Sequence, residues 1–375
     1  MSGSSESSVS SLDSDTINEF IGEVLNSRYL ILDYLDHGTF CRVYLAYDIQ
    51  CDKYYAIKIM NLDASFEGKT EINYLKRTSN GHRIIRIFDD FKFNEHVCMV
   101  LELMGVAAID VINSIDATDY NFTHVVKTII RDTSIGILEL NQQFLIHTDL
   151  KLENIMTTIV SQRTEKIIEA VNSLDIPKIR KKFYDSKTQN SEFNWSQNNL
   201  NSKKLKMRNE FNTWISSVVM KKIDTIPESV DVISIPEHFT CKIIDLGNAE
   251  EFTDKTDSIK GTIHIRCYRA PENFKTGIFN KDSDIWTLGC LLFEMLFNEK
   301  LLDPDYCNDT DEYIEYIEKV VSELPGIIRE ELEYVNFKNS VELNQFREFL
   351  LNTLKIDPIE RWSIQTCIKS PLLKK

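Results

Sequence analysis

The eight residues HTDLKLEN, at positions 147–154, concentrate charged and amide side chains directly after an apolar run. In the spacing H-x-D-x-K-x-x-N, the Asp can orient a hydroxyl group and accept its proton. The Lys can neutralise a phosphate in transfer, and the Asn can ligate Mg²⁺ through its amide oxygen. We therefore predict that Asp149 and Lys151 are catalytic residues and that Asn154 is a metal ligand, while His147 forms structural hydrogen bonds.

A second carboxylate follows an apolar stretch in CKIIDLGNA, residues 241–249. Asp245 ends this predicted strand, where a second oxygen ligand for Mg²⁺ is required. We expect Gly247, two residues later, to let the chain turn. Taken alone, Asp-Leu-Gly is also typical of a simple turn, so its significance depends on its place after the first motif.

A loop around Gly38, in LDHGTFCRVYLA, has part of the G-x-G-x-x-G-x-V pattern that covers nucleotide phosphates. Gly38 stands at the middle glycine and Val43 at the valine, whereas Asp36 and Cys41 replace the outer glycines. Taken alone, this loop is better explained as an ordinary hairpin turn. The two replacements are expected to weaken the close approach of the loop to a phosphate.

Lys58 follows Val43 by fifteen residues, in the predicted strand YYAIKIM. A Lys in an apolar strand can be an edge residue, but behind a phosphate-covering loop it can reach the α- and β-phosphates of a nucleotide. Such a Lys needs a carboxylate to hold it in place. Glu71, on the next predicted helix, is the candidate.

These side chains require a framework of strands and helices. Short runs rich in β-branched and aromatic residues, separated by turn signals, predict five strands. The strands are RYLILDYL, CRVYLAYDI, YYAIKIM, IIRIFDDF and EHVCMVLEL, and the helix EGKTEINYLKRT lies between the third and the fourth. Mostly helical sequence follows. Its first long helix is predicted over residues 121–143, with the apolar positions Val125, Val126, Ile129, Ile130, Ile137 and Leu140.

The composition limits the classes of protein to which the chain can belong. A formal net charge of −15 over 375 residues argues against nucleic-acid or anionic-membrane binding and favours basic partners. The eight cysteines have no C-x-x-C spacing, which predicts reduced thiols rather than a zinc site or a disulfide framework. The sequence has no apolar run of about 18 residues that would span a membrane, and no signal-peptide pattern at its start.

Two segments differ from the rest of the sequence. Residues 1–25, Ser-rich and acidic at their start, are predicted to be a disordered tail. Residues 157–240 contain 13 Lys/Arg and 10 Asp/Glu, whereas the remaining sequence contains 30 and 48. This basic segment is predicted to be a partly flexible insertion in an acidic folded body. We interpret it either as a solvated spacer or as a localisation or docking element.

The order of the motifs is more informative than any one of them. Gly38, Lys58 and Glu71 come first, residues 147–154 and Asp245 follow, and the stretches YRAPE and DIWTLGC come last. Over residues 28–373 this series resembles the eukaryotic protein kinases. The resemblance implies a phosphoryl-transfer enzyme that uses ATP and Mg²⁺.

The resemblance also implies an α+β, bilobal fold. A small β-rich lobe with one main helix would occupy residues 28–104. A larger, mostly helical lobe would occupy residues 105–375, interrupted by the insertion. Within the larger lobe, Glu272 of YRAPE would pair with Arg361, and Asp284 would hold the backbone of the catalytic loop from below.

The same resemblance places an adenine site at a hinge, Glu102-Leu103-Met104, behind Leu101. Ala56 would lie above the adenine and Met156 beneath it. The implied ATP-binding residues are Leu35, Gly38, Val43, Ala56, Lys58, Glu102, Met104 and Met156.

Within the kinases, the sequence most resembles the SR-protein kinases, which phosphorylate serines in Arg-Ser repeats of splicing factors. HTDLKLENIM, KIIDLGNA and DDFKFNEHVCMVLELMG carry this resemblance, together with the place of the insertion. LAMMER-type kinases share His-Thr-Asp, but DEYIEYIEKVVSELPG stands where their signature helix would be. The resemblance implies Arg/Ser-rich protein partners and a location in the cytoplasm and nucleus. We expect a monomer that binds neither nucleic acid nor membrane.

An acidic stretch, EKLLDPDYCNDTDEYIEYIEKVVSE, follows DIWTLGC. It can be a solvated acidic face. In a kinase of this family, the same carboxylates would pair with the guanidinium groups of an Arg-rich substrate. The predicted docking residues are Asp303, Asp305, Asp311 and Glu312.

A few residues depart from the usual kinase pattern. Asp36, Cys41 and Ile265, which stands where the family has a Thr, keep open a second class: a weakly active scaffold that binds Arg-rich tails. An active LAMMER-like kinase with other substrates is the third possibility. Thr148 occupies the position at which many kinases have an Arg that requires a phosphate on the activation segment. Because a neutral Thr carries no such requirement, we predict activity without activation-segment phosphorylation.

Overall fold

The computed structural model describes residues 19–189, 200–226, 233–253 and 258–374. These residues form two compact units, each built from segments that are distant in sequence. Within the described ranges, the first unit contains residues up to 65, 89–103 and 163–226. The second unit contains the rest, including the predicted catalytic loop.

The strands and helices follow one another along the chain in an order close to the predicted one. The strands are β1 (Val24–Leu25), β2 (Tyr29–Gly38), β3 (Cys41–Asp48), β4 (Lys53–Met60), β5 (Ile87–Phe93), β6 (His96–Glu102), β7 (Leu145–Ile146), β8 (Ile155–Thr157), β9 (Cys241–Ile243), β10 (Glu250–Glu251), β11 (Ile259–Lys260) and β12 (Ile278–Phe279). The helices are α1 (Ser65–Arg77), α2 (Ala108–Asn113), α3 (Phe122–Gln142), α4 (Gln162–Asn172), α5 (Ile176–Gln189), α6 (Leu200–Ile223), α7 (Pro271–Thr276), α8 (Ser283–Phe297), α9 (Thr310–Glu331), α10 (Ser340–Thr353) and α11 (Ile364–Lys369). The predicted α+β class is confirmed.

One six-stranded sheet, in the order β1-β2-β3-β4-β6-β5, underlies the first unit. The five predicted strands and the helix after the third are confirmed. Residues 19–25 do not continue the predicted disordered tail, because Phe20 is buried and β1 pairs with β2. Burial of apolar side chains at Phe20 and Leu25 favours this ordered start. Residues 1–18 of the predicted tail lie outside the described residues.

Both faces of this sheet are apolar. Successive residues of a strand point to opposite faces, so the run Tyr29–Leu32 supplies apolar side chains to both. Tyr29 and Ile31 join one core cluster, whereas Leu30 and Leu32 join another. A sheet that is apolar on both faces has to be covered on both faces.

Three helices of the segment 157–240, namely α4, α5 and α6, cover the face of Leu30 and Leu32. The buried residues of α6 form one apolar stripe at helical spacing, and they are Met207, Phe211, Ile215, Val219 and Ile223. On the same face, Arg163 of α4 donates to both carboxylate oxygens of Asp33, at 2.7 and 3.0 Å. The described part of the predicted insertion is therefore a packed layer, while its residues 190–199 and 227–232 lie outside the described residues.

In the second unit, α3 and α8 position the segments that carry the predicted site. The helix predicted at 121–143 is confirmed as α3, and all six of its predicted apolar positions are buried. Gly136 lets α3 approach β9 closely, because a Cβ there would lie 2.7 Å from Ile243 Cδ1. Helix α8 is buried along most of its length.

Two predictions about the whole sequence can be compared with the described residues. All eight cysteines are free thiols, as expected from their spacing. Among the described helices, none combines the length and the apolar character needed to cross a bilayer.

Candidate active site

The predicted catalytic loop starts at the end of β7 and is held by two hydrogen bonds at His147. The backbone N–H of His147 donates to Asp284 Oδ2 on α8 at 3.0 Å. The Nε2 atom of the His147 ring lies 2.9 Å from the carbonyl oxygen of Ile244, directly before Asp245. The predicted support by Asp284 and the structural hydrogen bonding of the buried His147 are both confirmed.

The loop brings Asp149, Lys151 and Asn154 together. The Nδ2 atom of Asn154 donates to the Asp149 carbonyl oxygen at 2.8 Å and approaches Asp149 Oδ2 at 3.3 Å. The Lys151 ammonium lies 3.5 Å from the same carboxylate oxygen. The Asp149 side chain is still 18% exposed, so a carboxylate fixed by two partners can meet an incoming hydroxyl group.

Asp245 is placed beside Asn154 by strand pairing. Strand β8 pairs with β9 through Ile155 and Ile243, and the N–H of Ile244 donates to the Asn154 carbonyl oxygen at 3.0 Å. Asp245 itself makes the turn, in the left-handed region at φ 62°, whereas Gly247 has no positive φ. The expectation that Gly247 supplies the turn was therefore wrong. A short polar side chain such as Asp enters this region more readily than most.

The residue types at this place fit a magnesium ion that arrives with phosphate groups. The Nδ2 atom of Asn154 is used by Asp149, which leaves Oδ1 as the ligand atom of that amide. Asp245 supplies a carboxylate. Mg²⁺ is usually bound by one or two protein side chains together with substrate phosphates. Over the described ranges, no cluster of three or more His, Cys, Asp or Glu side chains would hold a metal alone.

Glu71 lies on α1, in the second unit, and is buried. A Cβ placed on Gly247 would lie 3.5 Å from Asp245 Oδ1 and 3.8 Å from Glu71 Oε2. Both carboxylates therefore come close to Gly247. The ion pair between Glu71 and Lys58 stays a prediction.

The first unit carries most of the predicted ATP-binding residues on its sheet. Leu35 lies in β2, and Glu102 ends β6. The register sets Gly38 opposite Cys41, Val43 opposite Lys58, and Ala56 opposite Leu101. The second unit carries Met104, which is buried, and Met156 on β8. Their contacts with ATP stay predictions.

Thr148 joins three segments without a phosphate group. It has φ 65°, and its Oγ1 donates to the carbonyl oxygen of Asn248 at 2.5 Å. Its own carbonyl oxygen accepts the N–H of His264 at 2.8 Å. The buried His264 ring lies 3.3 Å from Asp284 Oδ1. His264 was not among the predicted site residues, and its only signal in the sequence is a His next to Ile265, where the family has a Thr.

The predicted pair between Glu272 and Arg361 is confirmed. Arg361 donates from Nη1 to Glu272 Oε1 at 2.8 Å and from Nη2 to Oε2 at 2.5 Å. The same carboxylate accepts from Ser283 Oγ at 3.0 Å. The end of YRAPE is thereby fixed to the start of α8 and to the loop before α11.

All four predicted docking residues are exposed, and they are Asp303, Asp305, Asp311 and Glu312. The last two lie in the first turn of α9, where the side chain of Asp309 accepts from the Glu312 N–H at 3.0 Å. Arg266, next to Ile265, donates to the carbonyl oxygens of Pro304 and Cys307 and lies over the Tyr313 ring. These contacts connect the acidic loop, residues 303–309, and the start of α9 to the segment that precedes YRAPE.

Comparisons with known proteins agree with this geometry. The family described as protein kinase domain matches residues 29–169 and 232–373. The serine/threonine-protein kinase SRPK of Physarum polycephalum is 26% identical over 330 residues, which cover 81% of this chain and 69% of that protein. The serine/threonine-protein kinase Doa of Drosophila melanogaster is 25% identical over 81% of this chain and 29% of its own length.

Other matches extend the same pattern. The dual specificity protein kinase CLK1 of Homo sapiens is 25% identical over 81% of this chain and 51% of its own length. The chain therefore spans about half or less of the length of the Doa and CLK1 kinases. Among solved structures, the crystal structure of the PF14_0431 kinase domain has a TM-score of 0.59 at 19% identity, covering 95% of this chain and all of that one. This likeness concerns the fold.

Proposed function

The chain belongs to the protein kinase family, and from that premise we propose that it is an active serine/threonine protein kinase dependent on ATP and Mg²⁺. The observation that carries the proposal is the fixed Asp149 carboxylate, held by Asn154 and Lys151 in the loop that neighbours Asp245. Asp149 orients a serine hydroxyl and takes up its proton, while Lys151 neutralises the phosphate in transfer. Bound Mg-ATP supplies the transferred phosphate and a neutralising cation.

In the same proposal, the predicted ATP-binding residues hold the nucleotide. Gly38 and Val43 cover the phosphates, Lys58 reaches them, and Glu71 holds Lys58 in place. Asn154 and Asp245 ligate the magnesium ion through oxygen. Glu102 and Met104 supply the backbone groups that bind adenine, and the remaining adenine contacts come from Leu35, Ala56 and Met156.

We further propose that the substrates are proteins rich in Arg-Ser sequences. The support is the exposed acidic group in the loop before α9 and in its first turn, in a chain whose formal net charge is −15. Guanidinium groups form strong paired hydrogen bonds with carboxylates, and complementary charge speeds encounter. The proposed enzyme acts as a monomer in the cytoplasm and nucleus on such basic tails.

Two peptides of equal charge test this substrate class. We expect phosphate transfer to an Arg-Ser repeat peptide to exceed transfer to the matching Lys-Ser peptide, because Arg can form bidentate pairs. Replacing Asp303, Asp305, Asp311 and Glu312 by their amides should raise KM for the Arg-Ser peptide about tenfold with little change in kcat. Equal rates on both peptides would remove the docking argument.

A matched variant separates docking from a general effect of charge. The matched variant uses four exposed glutamates in the C-terminal half of α9 and directly after it, namely Glu323, Glu330, Glu331 and Glu333. Their replacement by Gln removes the same four charges, so we expect KM for the Arg-Ser peptide to stay near that of the parent protein. A comparable rise of KM in both variants would contradict specific docking.

The proposed activity does not require phosphorylation of the activation segment. Thr148 stands where an Arg would otherwise need a phosphate partner, and its hydroxyl already donates to Asn248. Phosphatase-treated protein should therefore keep its rate of phosphate transfer. A loss of that rate after treatment, reversed by rephosphorylation, would contradict this.

A LAMMER-like kinase with other substrates is the second candidate, because Doa and CLK1 match as much of this chain as SRPK does. It is distinguished by the peptides, since rapid transfer to a peptide without arginine favours it. A chain that binds the Arg-Ser peptide but transfers no phosphate would be the weakly active scaffold instead. Asp36, Cys41 and Ile265 would then be the first residues to test as the cause of the lost activity.

A further inference from the structure

Arg77, the last residue of α1, contacts two other segments of the second unit. Its Nη1 lies 2.6 Å from Glu251 Oε1, and its Nη2 donates to the carbonyl oxygen of Gln143 at 2.6 Å. Its guanidinium group also lies 5.6 Å from the centre of the Tyr74 ring, one turn back on the helix. One side chain therefore bridges three segments.

Each of these segments carries part of the candidate site. Helix α1 carries Glu71, which comes close to Gly247. Gln143 follows α3 and leads into β7, from which the catalytic loop starts. Glu251 lies on β10, a few residues beyond Asp245, and pairs with Leu145 of β7. A shift of α1 against β7 and β10 would therefore break the contacts of Arg77.

We propose that Arg77 is a positioning residue, which holds α1 and therefore Glu71 in the arrangement needed for phosphate transfer. This inference rests on the proposed kinase function and extends its independence from phosphorylation. Where other kinases use a phosphate on the activation segment to order nearby elements, this chain uses Glu251, a carboxylate encoded in the sequence. A cation at the C-terminal end of a helix is also favoured by the helix dipole.

The exposure of the pair sets the size of the expected effect. The Arg77 side chain is 30% exposed and that of Glu251 is 52% exposed, so the ion pair adds little to global stability. The hydrogen bond from Arg77 to the Gln143 carbonyl oxygen is partly buried and so better shielded from solvent than the ion pair. The same guanidinium group makes both contacts. We expect Arg77→Met to lower kcat about 3- to 10-fold, with KM for the peptide nearly unchanged.

Four variants and hydrogen exchange test the positioning role. Arg77→Met and Glu251→Gln should speed amide exchange in α1 and lower kcat together. Arg77→Lys keeps the charge but cannot bridge both partners. Its kcat and its rate of amide exchange in α1 should therefore lie between those of Arg77→Met and those of the parent protein. The control is Lys187→Met. It breaks the ion pair between Lys187 of α5 and Glu210 of α6, whose side chains are about as exposed as those of Arg77 and Glu251. It should change neither quantity.

The double variant Arg77→Glu/Glu251→Arg rebuilds the ion pair in reverse and should restore part of the lost kcat and of the slow exchange in α1. Unchanged exchange in α1 after Arg77→Met would overturn the inference, whatever happens to the rate. Faster exchange in α1 with an unchanged kcat would equally overturn it. If the parent protein transfers no phosphate at all, the proposed function fails, while exchange in α1 still decides whether Arg77 holds this helix.

Discussion

The layer of helices on the sheet of the first unit leads to a sharp prediction at Phe211. This residue of α6 is 1% exposed and packs in one cluster with side chains of β2 and β3. Its ring lies 5.2 Å from that of Phe183 and 5.7 Å from that of Tyr184. Truncation to Ala removes most of a buried aromatic side chain and leaves a cavity, which costs about 3 to 5 kcal/mol.

The measurement is hydrogen exchange of β2 and β3 amides in the parent protein and in Phe211→Ala. Each 1.4 kcal/mol is a factor of ten, so exchange through unfolding should become about two to nearly four orders of magnitude faster. The change is expected in strands far from the substitution in sequence, because α6 covers them. Phe66→Ala is the control, since Phe66 is 78% exposed and its truncation should cost less than about 0.5 kcal/mol.

The outcome distinguishes a packed layer from a solvated spacer. If exchange in β2 and β3 after Phe211→Ala matches that after Phe66→Ala, the segment adds nothing to the first unit and the reasoning is refuted. Faster exchange confined to α6 would also refute it, because the helix would then open without the sheet.

Two further predictions concern buried charges. Arg361→Met should lower the free energy of unfolding of the second unit by about 3 to 5 kcal/mol, because it removes a buried cation and leaves the Glu272 carboxylate, whose side chain is only 16% exposed, without its partner. Urea denaturation measures this. Asp48→Asn should lower the free energy of unfolding of the first unit by about 2 to 3 kcal/mol at pH 7. Burial alone would raise the pKa of Asp48, but hydrogen bonds from Arg28 and from backbone N–H groups outweigh it and lower the pKa. A lowered pKa stabilises the fold above the unfolded value of about 3.9, so the difference from the parent protein should shrink below about pH 4. A difference that is constant from pH 7 to pH 3 would contradict this cause.

Much of the fold and part of the site could be predicted because short motifs report local chemistry. The strands β2 to β6 and helix α3 follow from hydrophobic periodicity. The support of His147 by Asp284 and the pair of Glu272 with Arg361 were implied by the resemblance to the protein kinases. Contact of the docking residues with a substrate stays a prediction, since exposure alone does not identify a partner.

The helical layer could not be predicted from the composition of residues 157–240. Its lysines and asparagines indicate a solvated segment, and the apolar stripe of α6 is diluted among them. The signal was in the sheet instead, because the run Tyr29–Leu32 is apolar on both faces and needs two covers. Which segment supplies the second cover is a question of long-range packing.

Backbone conformation and long-range partners were the other limits. Gly247 was expected to turn the chain because glycine enters the left-handed region most easily, yet Asp245 does so. Arg77 lacked any motif, because its partners lie 66 and 174 residues away in sequence. Only the folded chain brings these segments together.

Phosphate transfer by the Asp149 loop can be measured directly. The initial rate of γ-phosphate transfer from Mg-ATP to serine in an Arg-Ser repeat peptide is compared between the parent protein and Asp149→Asn. We expect turnover by the parent protein and a rate about 10²- to 10⁴-fold lower for the variant, with the fold retained. Equal rates for the two proteins, or no transfer by either, would contradict it.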